Sequence, residues 1–257
     1  MVHLKLDIKL NSLGLPLRRG LEEARRLGAG GVEVEAVGEL SPANLSQTGR
    51  REFRHLLKSH SLELTALACP LRHGLTHPEN LQPRIEAIQN VLTLSYDLGP
   101  RIVIVQAGKI PDQDDDPAAG LLRESLEALG RCGDRVGATL ALDTGSETGE
   151  RLRTFLERID AGSLGANFDP GNLLLGGFDV LASARSLHDR IVHIHARDAR
   201  RVNRAEVPLG HGDIDWLALL GVLEEINYRG WLTMVRDTGQ NRLADIAAGL
   251  AFLRRFV

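Results

Sequence analysis

Three side chains stand out by type and setting: Asp143, Asp169 and His195. Asp143 closes the apolar run Leu140-Ala141-Leu142, Asp169 precedes Pro170-Gly171-Asn172, and His195 ends the alternation Val192-His193-Ile194-His195. A carboxylate buried at the edge of an apolar strand is costly unless it is paired. The plain alternative for both aspartates is a turn or helix-cap role ahead of Thr144-Gly145 and Pro170-Gly171. Residues two apart on a strand share a face, so His193 and His195 point the same way, with Asp198 close behind. Two carboxylates and an imidazole form an oxygen and nitrogen donor set suited to Mn²⁺, Mg²⁺, Co²⁺ or Zn²⁺. Such a set supports metal-assisted proton transfer or hydrolysis.

Side chains this far apart in sequence meet only if the fold gathers the ends of their strands. β-type runs rich in Val, Ile, Leu or Thr fall at residues 3–9, 31–35, 62–68, 101–106, 138–143, 164–169, 191–196 and 231–235. Between them lie segments with helical spacing of apolar residues, such as Leu17-Leu21-Ala24-Leu27 and Ile85-Ile88-Val91-Leu92. Short apolar strands joined by helices imply a parallel sheet covered on both faces. Eight such units in 257 residues suit one α/β domain over 1–257, a closed (β/α)8 TIM barrel. An open doubly wound sheet would carry a glycine-rich phosphate turn after the first strand, and Asn11-Ser12-Leu13-Gly14 is not one. In a barrel the reactive groups sit at the C-terminal strand ends. That adds Glu33 or Glu35, the loop from Cys69 through Arg72 and His73, Gln106, and Val235-Arg236-Asp237 to the candidates.

With 31 basic and 34 acidic residues the formal charge is −3, without the basic excess expected of a nucleic-acid binder. The two cysteines, Cys69 and Cys132, are too few for a disulfide framework and lack zinc-site spacing. Cys69 has no evident base to make it a nucleophile. No apolar stretch of about 18 residues occurs, and Lys5, Asp7 and Lys9 interrupt the region where a signal peptide would need its apolar core. The expectation is a cytoplasmic protein with neither membrane nor nucleic acid as partner. The acidic segment 110–117 reads as a solvated loop entering a helix.

The succession Gly31-Val32-Glu33, Asp169-Pro170-Gly171-Asn172, His193-Ile194-His195-Ala196-Arg197-Asp198, residues 210–216 (GHGDIDW) and residues 228–233 (YRGWLT) resembles the xylose isomerase-like TIM-barrel superfamily, on its sugar-phosphate isomerase and epimerase branch. The resemblance spans nearly the whole chain. It implies one divalent metal held by Glu, Asp, His and Glu at the ends of strands five to eight. By motif position these fall on Asp143, Asp169, His195 and Val235. Three ligand-type residues are retained, with strand five shortened by one methylene. Valine cannot ligate, so the expectation is a degenerate site in which metal binding is doubtful.

In such epimerases the two glutamates move a proton next to a ketose carbonyl through an enediolate. Asp143 would keep one of these roles. Asp237, which shares the strand parity of Val235, and His211, in a loop flanked by Gly210 and Gly212, are candidates for the other. Asn172 stands where the family places a histidine and can hydrogen-bond a sugar hydroxyl. Arg201 stands at the family's cationic position and could bind an anionic group, with Arg197 and Arg200 nearby. Glu33, Arg72, His73, Gln106 and His193 complete the expected substrate-binding set. The resemblance favours an isomerase or epimerase of a small keto-sugar or polyol. The alternatives are a barrel that binds a sugar-like ligand without turnover and a metal-dependent endonuclease-like hydrolase. A small carbohydrate-like molecule is the expected partner, and a homodimer is possible.

Overall fold

A computed structural model describes residues 4–256; His3, at which the first predicted strand begins, lies outside the described residues. Eight parallel strands close into a barrel: β1 (Lys5–Lys9), β2 (Gly31–Glu35), β3 (Glu63–Ala68), β4 (Ile102–Val105), β5 (Thr139–Asp143), β6 (Leu164–Phe168), β7 (Ile191–Ala196) and, after a small hairpin, β10 (Trp231–Met234). β1 pairs with both β2 and β10, which seals the ring. The hairpin, absent from the sequence reading, is β8 (Asp198–Arg200) antiparallel to β9 (Ala205–Val207).

Local chemistry explains the elements. β4 is Ile-Val-Ile-Val, β-branched throughout, which suits a strand covered on both faces. The helix Pro117–Val136 starts where Asp116 accepts a hydrogen bond from the Ala118 N–H, with Pro117 in its first turn. It ends at Gly137, whose φ of 78° is the left-handed conformation glycine adopts freely. The acidic segment is thus the loop and cap of this helix, and Asp114 pairs with Arg158.

A large apolar cluster fills the shell between strands and helices, including Leu250 and Leu253 of the last helix. The barrel interior is built differently. Opposite Val32 and Glu33, β3 carries one extra residue, Thr65, and opposite Ala166 and Asn167, β7 carries Val192. These bulges turn successive side chains inward. A separate small cluster of Ala66, Ile104 and Ala141, with Ile102 and Val192 against it, forms an apolar sector. Asp7, Glu33, Thr65, Asn167, His193, His195 and Thr233, all buried, form a polar one. Gly31 makes room there, since a Cβ would lie 2.6 Å from the Thr65 methyl.

Candidate active site

The polar sector rises to the C-terminal mouth, where Asp143 ends β5, Asp169 follows β6 and His195 stands in β7. His195 Nδ1 lies 3.5 Å from Asp169 Oδ2 and 3.9 Å from Asp143 Oδ1. Its Nε2 is 2.7 Å from Glu33 Oε2 across the barrel. Asp169 also caps the helix Pro170–Leu175, its Oδ1 accepting from the Asn172 N–H at 2.8 Å. The cap and the site are therefore the same carboxylate.

Asn167 sets the tautomers. Its Oδ1 accepts from His193 Nδ1 at 2.9 Å, so His193 carries its proton there and its Nε2 accepts from the Thr233 hydroxyl, also at 2.9 Å. Burial pushes His193 down to about 3, in keeping with this neutral form. The Asn167 amide donates to Asp143 Oδ1 at 2.7 Å and to His195 Nδ1 at 3.0 Å. His195 thereby turns an Nδ1 lone pair toward both aspartates and donates Nε2–H to Glu33, the pattern by which a carboxylate orients a metal-binding imidazole.

The electrostatics fit a cation at that lone pair. Burial raises the Asp143 carboxyl to about 6, with the neighbouring Asp169 adding to it. Burial would lower His195, but Glu33 and hydrogen bonds to Asp169 and Glu33 carry it up to about 10. A proton and a metal ion compete for Nδ1, and either one displaces the Asn167 N–H from that lone pair, leaving Asn167 its bond to Asp143.

The expectation that Val235 leaves metal binding doubtful is corrected here. Among the described residues two triads bring ligand atoms within 4.8 Å of one another: Glu33, His193 and His195, and Asp143, Asp169 and His195. Neither uses position 235. The buried Glu33 Oε1 also has no hydrogen-bond partner. Val235 itself is buried past the end of β10, its N–H bonded to the Ala196 carbonyl.

The other sequence candidates divide. Gln106 and Asn172 donate to Asp143 Oδ2 at 3.4 and 3.2 Å, and Arg72 lines the same cleft as all three. Asp237 accepts from Lys9, Ser12 and Arg197, and although burial opposes it, Lys9 and Arg197 hold its carboxyl far below the usual range. Arg197, considered for anion binding from sequence, already binds carboxylates: Asp169 at 2.9 Å, Asp237 at 2.9 Å and Glu206 at 3.3 Å. His73 is exposed and packs edge-on to His77, while Arg201 in the hairpin and His211 beyond it are exposed and line neither cleft that holds Asp143. Asp198 binds the Gly210 and Gly212 N–H groups and the Trp216 indole, fixing a loop.

Sequence reasoning did not single out Asn167, Glu206 or Lys9. The alternation Gly165-Asn167-Asp169 put Asn167 on the face of Asp169, a signal that was available. Glu206 belongs to the unforeseen hairpin and left none.

The chain belongs to the xylose isomerase-like TIM barrel family, whose model matches residues 21–256. It is similar to the rhizopine catabolism protein MocC of Rhizobium meliloti, 28% identical and covering 88% of this chain and 76% of that one. It is also similar to inosose dehydratase of Clostridium beijerinckii, 24% identical over 53% of this chain and 57% of the relative. Several curated relatives are thus matched over less than two thirds of their length. A solved D-tagatose 3-epimerase-like protein shares the fold with a TM-score of 0.82 at 19% identity, covering 98% of this chain and 96% of that one. Among the described residues no helix is long and apolar enough to cross a membrane.

Proposed function

We propose that the protein is a divalent-metal enzyme that moves a proton on the carbon next to the carbonyl of a small keto-polyol, as an isomerase or epimerase. The observation that carries this reading is Asp143, which lines two clefts at the barrel mouth, one with Arg72, Gln106 and Asn172 and the other with Glu33, Cys69 and His195. Asp143, Asp169 and His195 would hold the ion. His193 fits less well, because Asn167 and Thr233 engage both its nitrogens. When bound, the metal would polarise the carbonyl and acidify the neighbouring C–H.

The chain's own groups do the rest. Asp143 serves as the base through Oδ2, the oxygen that faces Gln106 and Asn172 and not His195. Gln106 and Asn172, already aimed at Asp143, can orient hydroxyls on either side of the reacting carbon. Arg197 keeps Asp169 ionised, which burial alone would oppose.

A second reading is dehydration, favoured by the strand-eight end. Two-face epimerisation needs a second proton carrier, yet position 235 is valine and Asp237 is locked in ion pairs. Elimination of water begins with the same proton removal, and Asp143 can return that proton to the leaving hydroxyl on the same face, so the C–H and C–O bonds break with one acid–base group. Inosose dehydratase among the relatives supports this branch.

The test is Mn²⁺ calorimetry on metal-stripped protein, followed by NMR of deuterium uptake into D-tagatose and an inosose. One site per chain with Mn²⁺-dependent exchange or water loss is expected, and Asp143→Asn should slow the reaction at least about 100-fold. Asp169→Ala should abolish Mn²⁺ uptake. Retained uptake would move the ion to Glu33, His193 and His195, and uptake without turnover would leave a ligand-binding barrel.

A further inference from the structure

Beside Asp143 opens a cleft of about 460 Å³ whose rim carries two arginines, Arg72 from the loop after β3 and Arg204 from the tip of the β8–β9 hairpin. It also holds Gln106 and Asn172, both donating to Asp143 Oδ2. Among the described residues lining it, Asp143 is the one acid, so the cleft presents two cations against a single carboxylate already in use.

The two guanidiniums differ from Arg197, whose charge is balanced by three acids. Arg72 has no hydrogen-bond or ion-pair partner among the described residues. Arg204 makes one bond, to the Leu175 carbonyl at 3.0 Å, leaving the rest of its five donors unused. It does so from a φ of 48°, a left-handed conformation that costs a non-glycine residue about 1 kcal/mol or more. The hairpin below it is pinned, because Glu206 accepts from the Asp237 and Thr238 N–H groups at 3.0 and 2.8 Å. A strained, anchored arginine and an unpaired one lining the same polar cleft form a site for an anion.

We propose that the substrate carries an acidic group, carboxylate or phosphate, held between Arg72 and Arg204 while its reacting carbon lies at Asp143. This rests on the proton-transfer reading above and adds the class of substrate to it. The volume suits a ligand of the size of a five- or six-carbon polyol acid. The expected anion site thereby moves from Arg201, which lines neither mouth cleft, to Arg72 and Arg204.

Three unreactive probes test it by calorimetry: neutral D-arabinitol, D-arabinonate, and D-arabinitol 5-phosphate. One or both acids should bind at least about tenfold more tightly than arabinitol, the effect of one charge-assisted pair. The double variant Arg72→Gln/Arg204→Gln should bring acid and polyol within about twofold of each other, with melting temperature and Mn²⁺ affinity unchanged. Arg201→Gln should leave the preference intact. The acid whose preference depends on the arginines identifies carboxylate or phosphate. Equal binding of acid and polyol, no binding of either acid, or a preference that survives the double substitution overturns the proposal. Because Mn²⁺ uptake and deuterium exchange are read separately, the metal-enzyme reading can stand while this one falls, and a failure of that reading is distinguishable from a failure of the anion site.

Discussion

At the scale of the residue, His195 shows how much of a site lies in what surrounds the reactive group. Its ring is oriented by Glu33 on one side and Asn167 on the other, and neither need touch a substrate. Glu33→Gln replaces an ionic acceptor by a neutral one without emptying the space. If Glu33 orients the ring, Mn²⁺ affinity should drop about 10- to 100-fold at unchanged stoichiometry, the usual effect of losing such a partner. Complete loss of the ion in titration calorimetry would instead make Glu33 a direct ligand. Asp143, Asp169 and His195 were legible in the sequence because strand periodicity exposes an out-of-place polar residue. Val235 misled because a missing ligand type was weighed alone, whereas carboxylates and imidazoles from other strands meet across the barrel interior, which no single strand records.

At the scale of the element, all eight barrel strands fall within a residue or two of the runs seen in sequence, since β-branched runs and helical spacing are local signals. The β8–β9 hairpin was hidden because its strands are three residues each and half charged, and their pairing depends on distant partners. Those partners make it testable. Gly212 packs so tightly on Asp198 that a Cβ would lie 1.9 Å from Oδ1 and 2.5 Å from the Ala199 carbonyl. Gly212→Ala should therefore destabilise the protein by about 2 kcal/mol or more in urea unfolding. A change below about 0.5 kcal/mol, the range of an ordinary surface substitution, would show that the loop yields. Glu206→Ala should speed amide exchange at residues 205–207 and at Asp237 and Thr238, whose N–H groups lose their acceptor.

At the scale of the whole molecule, buried acids shape stability against pH in two directions. Burial raises Asp7 and Glu147 to about 7, although Glu147 accepts from the Ile110 N–H at 3.2 Å. An acid raised on folding favours the native state fully below its unfolded value and loses that advantage as pH climbs through 7. Glu33, Asp169 and Asp237 are lowered, so their contribution is present above the ordinary carboxylate range and lost in acid. Stability should peak between the two. Glu147→Gln should reduce the decline from about pH 5 to about pH 8 by about 3 kcal/mol in urea titrations, and a slope equal to that of the wild type would count against a raised Glu147.

The stretch from His193 to Asp198 assigns its side chains to four separate masters: His193 to Thr233 and Asn167, His195 to Glu33 and the aspartates, Arg197 to three acids, and Asp198 to the loop at 210–216. Adding or deleting one residue there would hand every side chain its neighbour's duty. At the hairpin tip, 201–204, only the Arg204 side chain is engaged among the described residues, and Arg201 is held by its backbone, whose N–H donates to Asp213. In a library of single-codon insertions selected for folded protein, residues 193–198 should therefore be empty of survivors while 201–203 is populated, so the lineage can change its cleft by lengthening a tip but not by sliding a strand.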